Sequence, residues 1–135
     1  MTAIIVLSLV AQGWLVGALL PRLDGLWATR QTLAVLHRAS LDPREGLAIG
    51  PVASAGYAEP SLVFALGART ETGDGRLAAQ AIAEGRPAVV EASEEARFQV
   101  ALRRRGVRAE VVDEITAYDY ALGRDLKLTV YRKRD

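Results

Sequence analysis

With 135 residues, about half of them apolar and 24% charged, the chain has room for one domain with a modest core. A formal net charge of +1 gives no electrostatic reason to expect nucleic acid as a partner. There is no cysteine, which excludes disulfides, thiolate chemistry and Cys-based metal sites, and no asparagine, which removes every N-x-S/T acceptor site.

The charges are unevenly distributed. From Met1 to Pro21 no side chain is charged, and Thr2 to Leu20 reads TAIIVLSLVAQGWLVGALL, with Gln12 as its one strongly polar member. A helix of that length rises about 28 Å, close to the thickness of a hydrocarbon core. Residues 1–22 are therefore expected to form a transmembrane helix. Gly13 and Gly17 make a G-x-x-x-G pair that would let a second helix approach. A cleaved signal peptide fits less well: no basic residue precedes the apolar run, and Leu19-Leu20-Pro21-Arg22 is a poor cleavage site. Charge alone leaves the orientation open. Arg22 and Arg30 follow the span, which on a simple count favours a cytoplasmic C-terminal part, but there is no N-terminal flank to weigh against them.

Residues 23–135 read as a soluble α/β domain. Asp24 is placed to cap a helix running to Ala39, which Ser40-Leu41-Asp42-Pro43 ends. Leu47 to Val52 is a strand candidate, followed by a turn-rich stretch to Glu59. Pro60 suits the first turn of a short helix over Ser61 to Leu66, with Gly67 as its C-terminal cap. Ala68 to Gly75 is expected to be an exposed loop, and Leu77 to Ala83 a short alanine-rich helix.

Ala88-Val89-Val90 forms a strand of the buried type. Ser93 is placed to cap the next helix, which carries Phe98, Val100 and Ala101 and ends in Arg103-Arg104-Arg105-Gly106. Val107 to Thr116 and Leu126 to Tyr131 are the last two strands, close enough to pair as an antiparallel hairpin. In the second of them Leu126, Leu128 and Val130 alternate with Lys127, Thr129 and Tyr131. The order predicts a small α/β sandwich with a mixed sheet.

Two stretches carry a resemblance. Gly56-Tyr57-Ala58-Glu59-Pro60-Ser61-Leu62-Val63-Phe64-Ala65-Leu66-Gly67 resembles the GYxEPSLVFxLG signature near the C-terminus of bacterial lipid-linked-sugar glycosyltransferases. This is the group related to the aminoarabinose transferase of lipid A and to protein O-mannosyltransferases. The run from Thr116 through Gly123-Arg124 to Arg132 is similar to the closing GFNYSxGRxxxLTLYR stretch of the same family, with Tyr118 for the usual Phe and Asp119 for the usual Asn.

The resemblance implies a GT-C membrane fold, a polyprenyl-phosphate sugar donor, and a catalytic carboxylate in an early periplasmic loop. Nothing here corresponds to that loop. By the resemblance, this chain is the last span and the periplasmic domain of an inner-membrane enzyme. Its implied partners are the bilayer, the remaining transmembrane half, and the polyprenyl-phosphate sugar with its acceptor.

No residue of the chain is expected to be catalytic, and no cofactor or metal is expected. His37 lacks any accompanying nucleophile motif, and no H-E-x-x-H, D-x-D-x-D-G or phosphate-loop pattern occurs. The neighbouring carboxylates Glu94-Glu95 and Asp113-Glu114 should point apart into solvent. Arg103, Arg104, Arg105 and Arg108 could meet lipid phosphates, against the simpler role of complementing a helix dipole. Tyr57, Glu59 and Ser61 are the candidate loop contacts, because they sit in a turn where function concentrates. A stand-alone single-span protein whose domain binds another subunit, and a secreted module, are the competing readings.

Overall fold

The computed structural model describes residues 13–14, 28–45, 50–119 and 123–134. The expected span over residues 1–22, the helix start at Asp24 and the first half of the expected strand at Leu47–Val52 lie outside them, apart from the helical pair Gly13 and Trp14; Gly50 to Val52 are not in a strand. Among the described residues no helix is long and apolar enough to cross a membrane.

The described chain is α/β, with helices α1 (Ala28–Arg38), α2 (Pro60–Leu66), α3 (Gly75–Ala83) and α4 (Glu95–Arg105). The strands are β1 (Ala53–Ala55), β2 (Glu71–Gly73), β3 (Ala88–Glu91), β4 (Ala109–Asp119) and β5 (Arg124–Lys133). They form one mixed sheet in the order β2-β1-β3-β5-β4. β1 runs parallel to both β2 and β3, whereas β5 is antiparallel to β3 and β4.

Two apolar layers hold the sandwich. On one face Val35 and Leu36 of α1 and Leu62 and Leu66 of α2 pack with Val89, Leu126, Leu128 and Val130. On the other, Ala78, Ala79, Ala81 and Ile82 of α3 and Phe98, Ala101 and Leu102 of α4 pack with Ala53, Ala55, Val90 and Tyr131. The pleat sends Val89 to the first layer and Ala88 and Val90 to the second, as a strand covered on both sides requires. Of Lys127, Thr129 and Tyr131, which alternate with the first layer's residues along β5, Lys127 stays in solvent. Thr129 and Tyr131 are buried under the second layer.

The chain moves from β1 to β2 with α2 on the first face, then back past β1 to β3 with α3 on the second. Reversing direction and face together preserves the hand of the crossover, as doubly wound sheets do. The connection through α4 continues in the same sense and places β4 at the far edge, and β5 then inserts between β4 and β3 by the expected hairpin.

Helix ends follow local chemistry. Glu59 precedes α2 with extended backbone, Pro60 opens it, and Gly67 closes it at φ +102°, a value that favours glycine. α1 closes with Ser40 in the left-handed region and a bond from the Leu41 N–H to the Leu36 carbonyl at 2.8 Å. Beyond it, the Arg44 guanidinium on Asp42 holds that buried carboxyl below its ordinary range.

Two expectations shift. The first strand falls on Ala53-Ser54-Ala55, inside the stretch read as turns, and Glu71–Gly73 pairs beside it instead of looping out. Both follow from packing. α3 presents alanines to the sheet, so the strand beneath it needs small side chains, which carry little strand signal of their own. The helix expected to begin at a Ser93 cap instead follows a 3₁₀ turn over Ala92–Glu94, with Glu94 in the cap position and no side-chain cap bond.

Candidate functional site

The carboxyl ends of β1, β2 and β3 share one edge of the sheet, and antiparallel β5 begins there with Arg124. After β1 the chain turns toward α2 on one face, and after the adjacent β3 toward α4 on the other. Such a divergence opens the crevice in which α/β sheets usually bind ligands.

Tyr57, Glu59 and Ser61 meet at this edge. The Tyr57 hydroxyl donates to Glu59 Oε2 at 2.9 Å, and the Ser61 hydroxyl donates to the same oxygen at 3.0 Å. Ser61 also shares a hydrogen bond with Thr29 of α1 at 2.8 Å, which ties the start of α2 to α1. Tyr57 is buried in the first layer, and its carbonyl accepts from the Ser54 hydroxyl. The three expected loop residues therefore form one network whose hub is a single carboxylate oxygen.

Sequence reasoning missed a second cluster beside it. Glu91, at the end of β3, has a side chain 5% exposed and pairs with Arg124 at 2.7 Å. Gly56, at φ +80°, lies so close that a Cβ there would sit 3.0 Å from both Glu91 and Glu94. Glu94 accepts from the Gly75 N–H at 2.9 Å and pairs with Arg97 at 2.8 Å. Asp74 caps α3 by accepting from the N–H groups of Arg76 and Leu77, and these bonds keep its carboxyl below the ordinary value.

Glu94 and Glu95 diverge as adjacent helical residues must, but neither is simply solvated. Glu95 Oε1 accepts from the Tyr131 hydroxyl at 2.7 Å, and its Oε2 is buried with no hydrogen-bond partner among the described residues. Burial, and then the Glu95 carboxylate, push the Tyr131 phenol well above its usual value. Phe98 packs on that ring with centroids 4.7 Å apart. Asp113 and Glu114 do reach the surface, where they pair with Arg38 and Lys127. His37 is exposed and faces Glu45.

Among the described residues no three His, Asp or Glu side chains converge as a metal site would need. Each carboxylate at the edge takes a hydrogen bond or ion pair from its own domain. Chemically the edge is a latch between loops: Glu59 holds the turn after β1, Glu94 holds α3 to α4, and Glu91 holds the β4–β5 hairpin. One feature of the sequence did point to Glu91, a carboxylate closing the otherwise apolar Ala88-Val89-Val90. Its partner is distant in sequence, and nothing local names it.

The network predicts a graded response to substitution. Tyr57→Phe, which loses one hydroxyl hydrogen bond, should cost about 1 kcal/mol. Tyr57→Ala, which also leaves a cavity, should cost about 3 kcal/mol. Glu59→Ala, which removes the acceptor of both hydroxyls, should fall between the two. Denaturant unfolding of the chain in neutral detergent measures all three, and equal losses for Phe and Ala would contradict the burial of the ring.

No family model matches this chain, and neither curated proteins nor solved structures give a match.

Proposed function

We propose that this chain is the C-terminal membrane span and periplasmic domain of an integral-membrane glycosyltransferase that uses a polyprenyl-phosphate-linked sugar donor. The reading rests on the resemblance of two stretches, and one observation supports it most. Those stretches, distant in sequence, come together on the fold around one side chain: Gly56 of the first abuts Glu91, and Arg124 of the second pairs with it. The letters of the first stretch also do separate jobs, with Tyr57 in the core, Glu59 at the hub, Pro60 opening α2 and Gly67 closing it.

Phe64 is the letter this domain does not use. It lies on α2 with 92% of its surface exposed, in the middle of a stretch whose neighbours are committed to the fold. An apolar ring held in that position suits contact with another part of a larger enzyme. In this reading the domain supplies scaffold and acceptor-side contacts, and the chemistry belongs to the transmembrane half.

The test is sugar transfer from a polyprenyl-phosphate donor in membranes. The 135-residue chain alone should give no turnover. In a chain extended by its upstream-encoded spans, Phe64→Ser should lower turnover several-fold without shifting the unfolding midpoint of the domain. Turnover by the chain alone, abolished by replacing one of its acidic residues, would defeat the reading.

A further inference from the structure

Positive charge gathers along α3 and α4, from the first turns of both helices, where Arg76 and Arg97 pair with Asp74 and Glu94, to the last turn of α4. Arg76, Arg97, Arg104 and Arg105 line a groove of about 460 Å³ whose remaining walls are Val100 and Ala101. Its long axis follows α4, and the rise from Arg97 to Arg104 makes it about 10 Å long. The volume is that of a small-ligand site, and the apolar walls leave room between the guanidinium groups.

Two explanations that need no ligand fall short. Cations complement a helix dipole only at the C-terminus, which accounts for Arg104 and Arg105 at the end of α4. Arg76 is the second residue of α3 and Arg97 the third of α4, at the positive ends, where a cation is disfavoured. Internal pairing absorbs the charge only in part. Many basic side chains of the described chain sit on carboxylates, as Arg44 does on Asp42, Arg86 on Glu71 and Glu84, Arg124 on Glu91, Lys127 on Glu114, and Arg132 on Glu110.

In the groove, the carboxylates that meet Arg76 and Arg97 are Asp74 and Glu94, both already engaged with backbone N–H groups of α3. Arg104 and Arg105, both exposed in the last turn of α4, have no carboxylate within ion-pair distance among the described residues. Four guanidinium forks around one groove match an anion rich in acceptor oxygens.

We propose that this groove binds a phosphate-bearing ligand, with Arg76 and Arg97 holding one end and Arg104 and Arg105 the other. A lipid headgroup and a soluble diphosphate share that chemistry. None of the groove's residues belongs to either transferase-like stretch, so the groove and the transferase reading stand or fall separately.

Calorimetric titration of the full chain in an uncharged detergent decides it, with pyrophosphate as one probe and short-chain phosphatidylglycerol as the other. Phosphatidylcholine of the same chain length is the blank. At least one probe should bind with an affinity that falls with added salt. The double variant Arg104→Glu/Arg105→Glu should weaken that binding about tenfold or more, as the loss of charged hydrogen bonds implies.

Arg103→Glu/Arg108→Glu makes the same change of net charge outside the groove and should weaken it no more than about threefold, through the long-range field alone. All four arginines replaced in these variants are exposed and make no ion pair among the described residues, so the fold should survive. The better-bound probe identifies the source, pyrophosphate a soluble diphosphate and phosphatidylglycerol a headgroup. Equal losses in the two double variants would reduce the effect to net charge and overturn the proposal. So would binding of neither probe, or equal binding of phosphatidylcholine.

Discussion

Replacing Gly75 by alanine is expected to destabilise the domain by about 3 kcal/mol, the upper part of the range for overpacking. On propensity alone the sign would be the opposite, because alanine favours a helix over glycine. Contact decides it. A Cβ at Gly75 would lie 2.5 Å from the Phe98 nitrogen, 2.8 Å from the Glu94 carbonyl and 2.9 Å from the Phe98 Cα. All three are backbone atoms of the turn that opens α4, so no side chain can swing aside to make room. The first turns of α3 and α4 must separate, and the bond from Gly75 to Glu94 lengthens with them. Gly106 is the control, with open space around it but a φ of +65°. Alanine there should cost only about 1 kcal/mol of backbone strain. Urea unfolding of the two variants side by side checks the order, and a Gly75→Ala loss at or below that of Gly106→Ala would show that the helices do not close so tightly.

The second large effect is expected at Arg124. Glu91 keeps its carboxylate buried, and the 2.7 Å pair with Arg124 is the contact that offsets the loss of water. Arg124→Ala strands that charge and should cost about 3 kcal/mol, the low end for a broken buried pair, because the guanidinium itself is half in water. Glu91→Gln should cost much less, about 1 kcal/mol, since the released Arg124 simply hydrates. Combining Arg124→Ala with Glu91→Gln should then recover part of the first loss. A double-mutant cycle in denaturant measures that coupling directly. If Arg124→Ala and Glu91→Gln were equally mild and additive, the pair would be an ordinary surface contact and the hairpin would not be latched to β3.

How much of this was legible beforehand depends on the range of the interactions. Pro60 and Gly67 delimit α2 by backbone chemistry alone, and α2 lies where that chemistry puts it. Ala88-Val89-Val90 and the β4–β5 hairpin were equally visible, since continuous apolar runs and short connections are local patterns. β1 and β2 were not. A strand made of Ala-Ser-Ala has no propensity signal of its own and exists because two parallel neighbours and an alanine-faced helix surround it. The site divides the same way. Tyr57, Glu59 and Ser61 were named together because they are neighbours in one turn, and they do share one oxygen. Glu91 meets Arg124 from a neighbouring strand and Gly75 meets α4 from α3, contacts that only the topology makes.

The two borders of the sheet differ in how they meet other molecules. β2 is three residues long, too short to template a foreign strand. β4 is eleven residues long, and an unbroken ladder of that length would invite a second copy to add on in a crowded cell. The pairing of β4 with β5 skips a residue between Val111 and Asp113, and the bulge twists the outer strand where it would otherwise lie flat. Glu110, Asp113 and Glu114, paired with Arg132, Arg38 and Lys127, set charged side chains of both signs around the same irregularity. A small backbone fault and a charged border thus make the outermost described strand a poor template for a second copy.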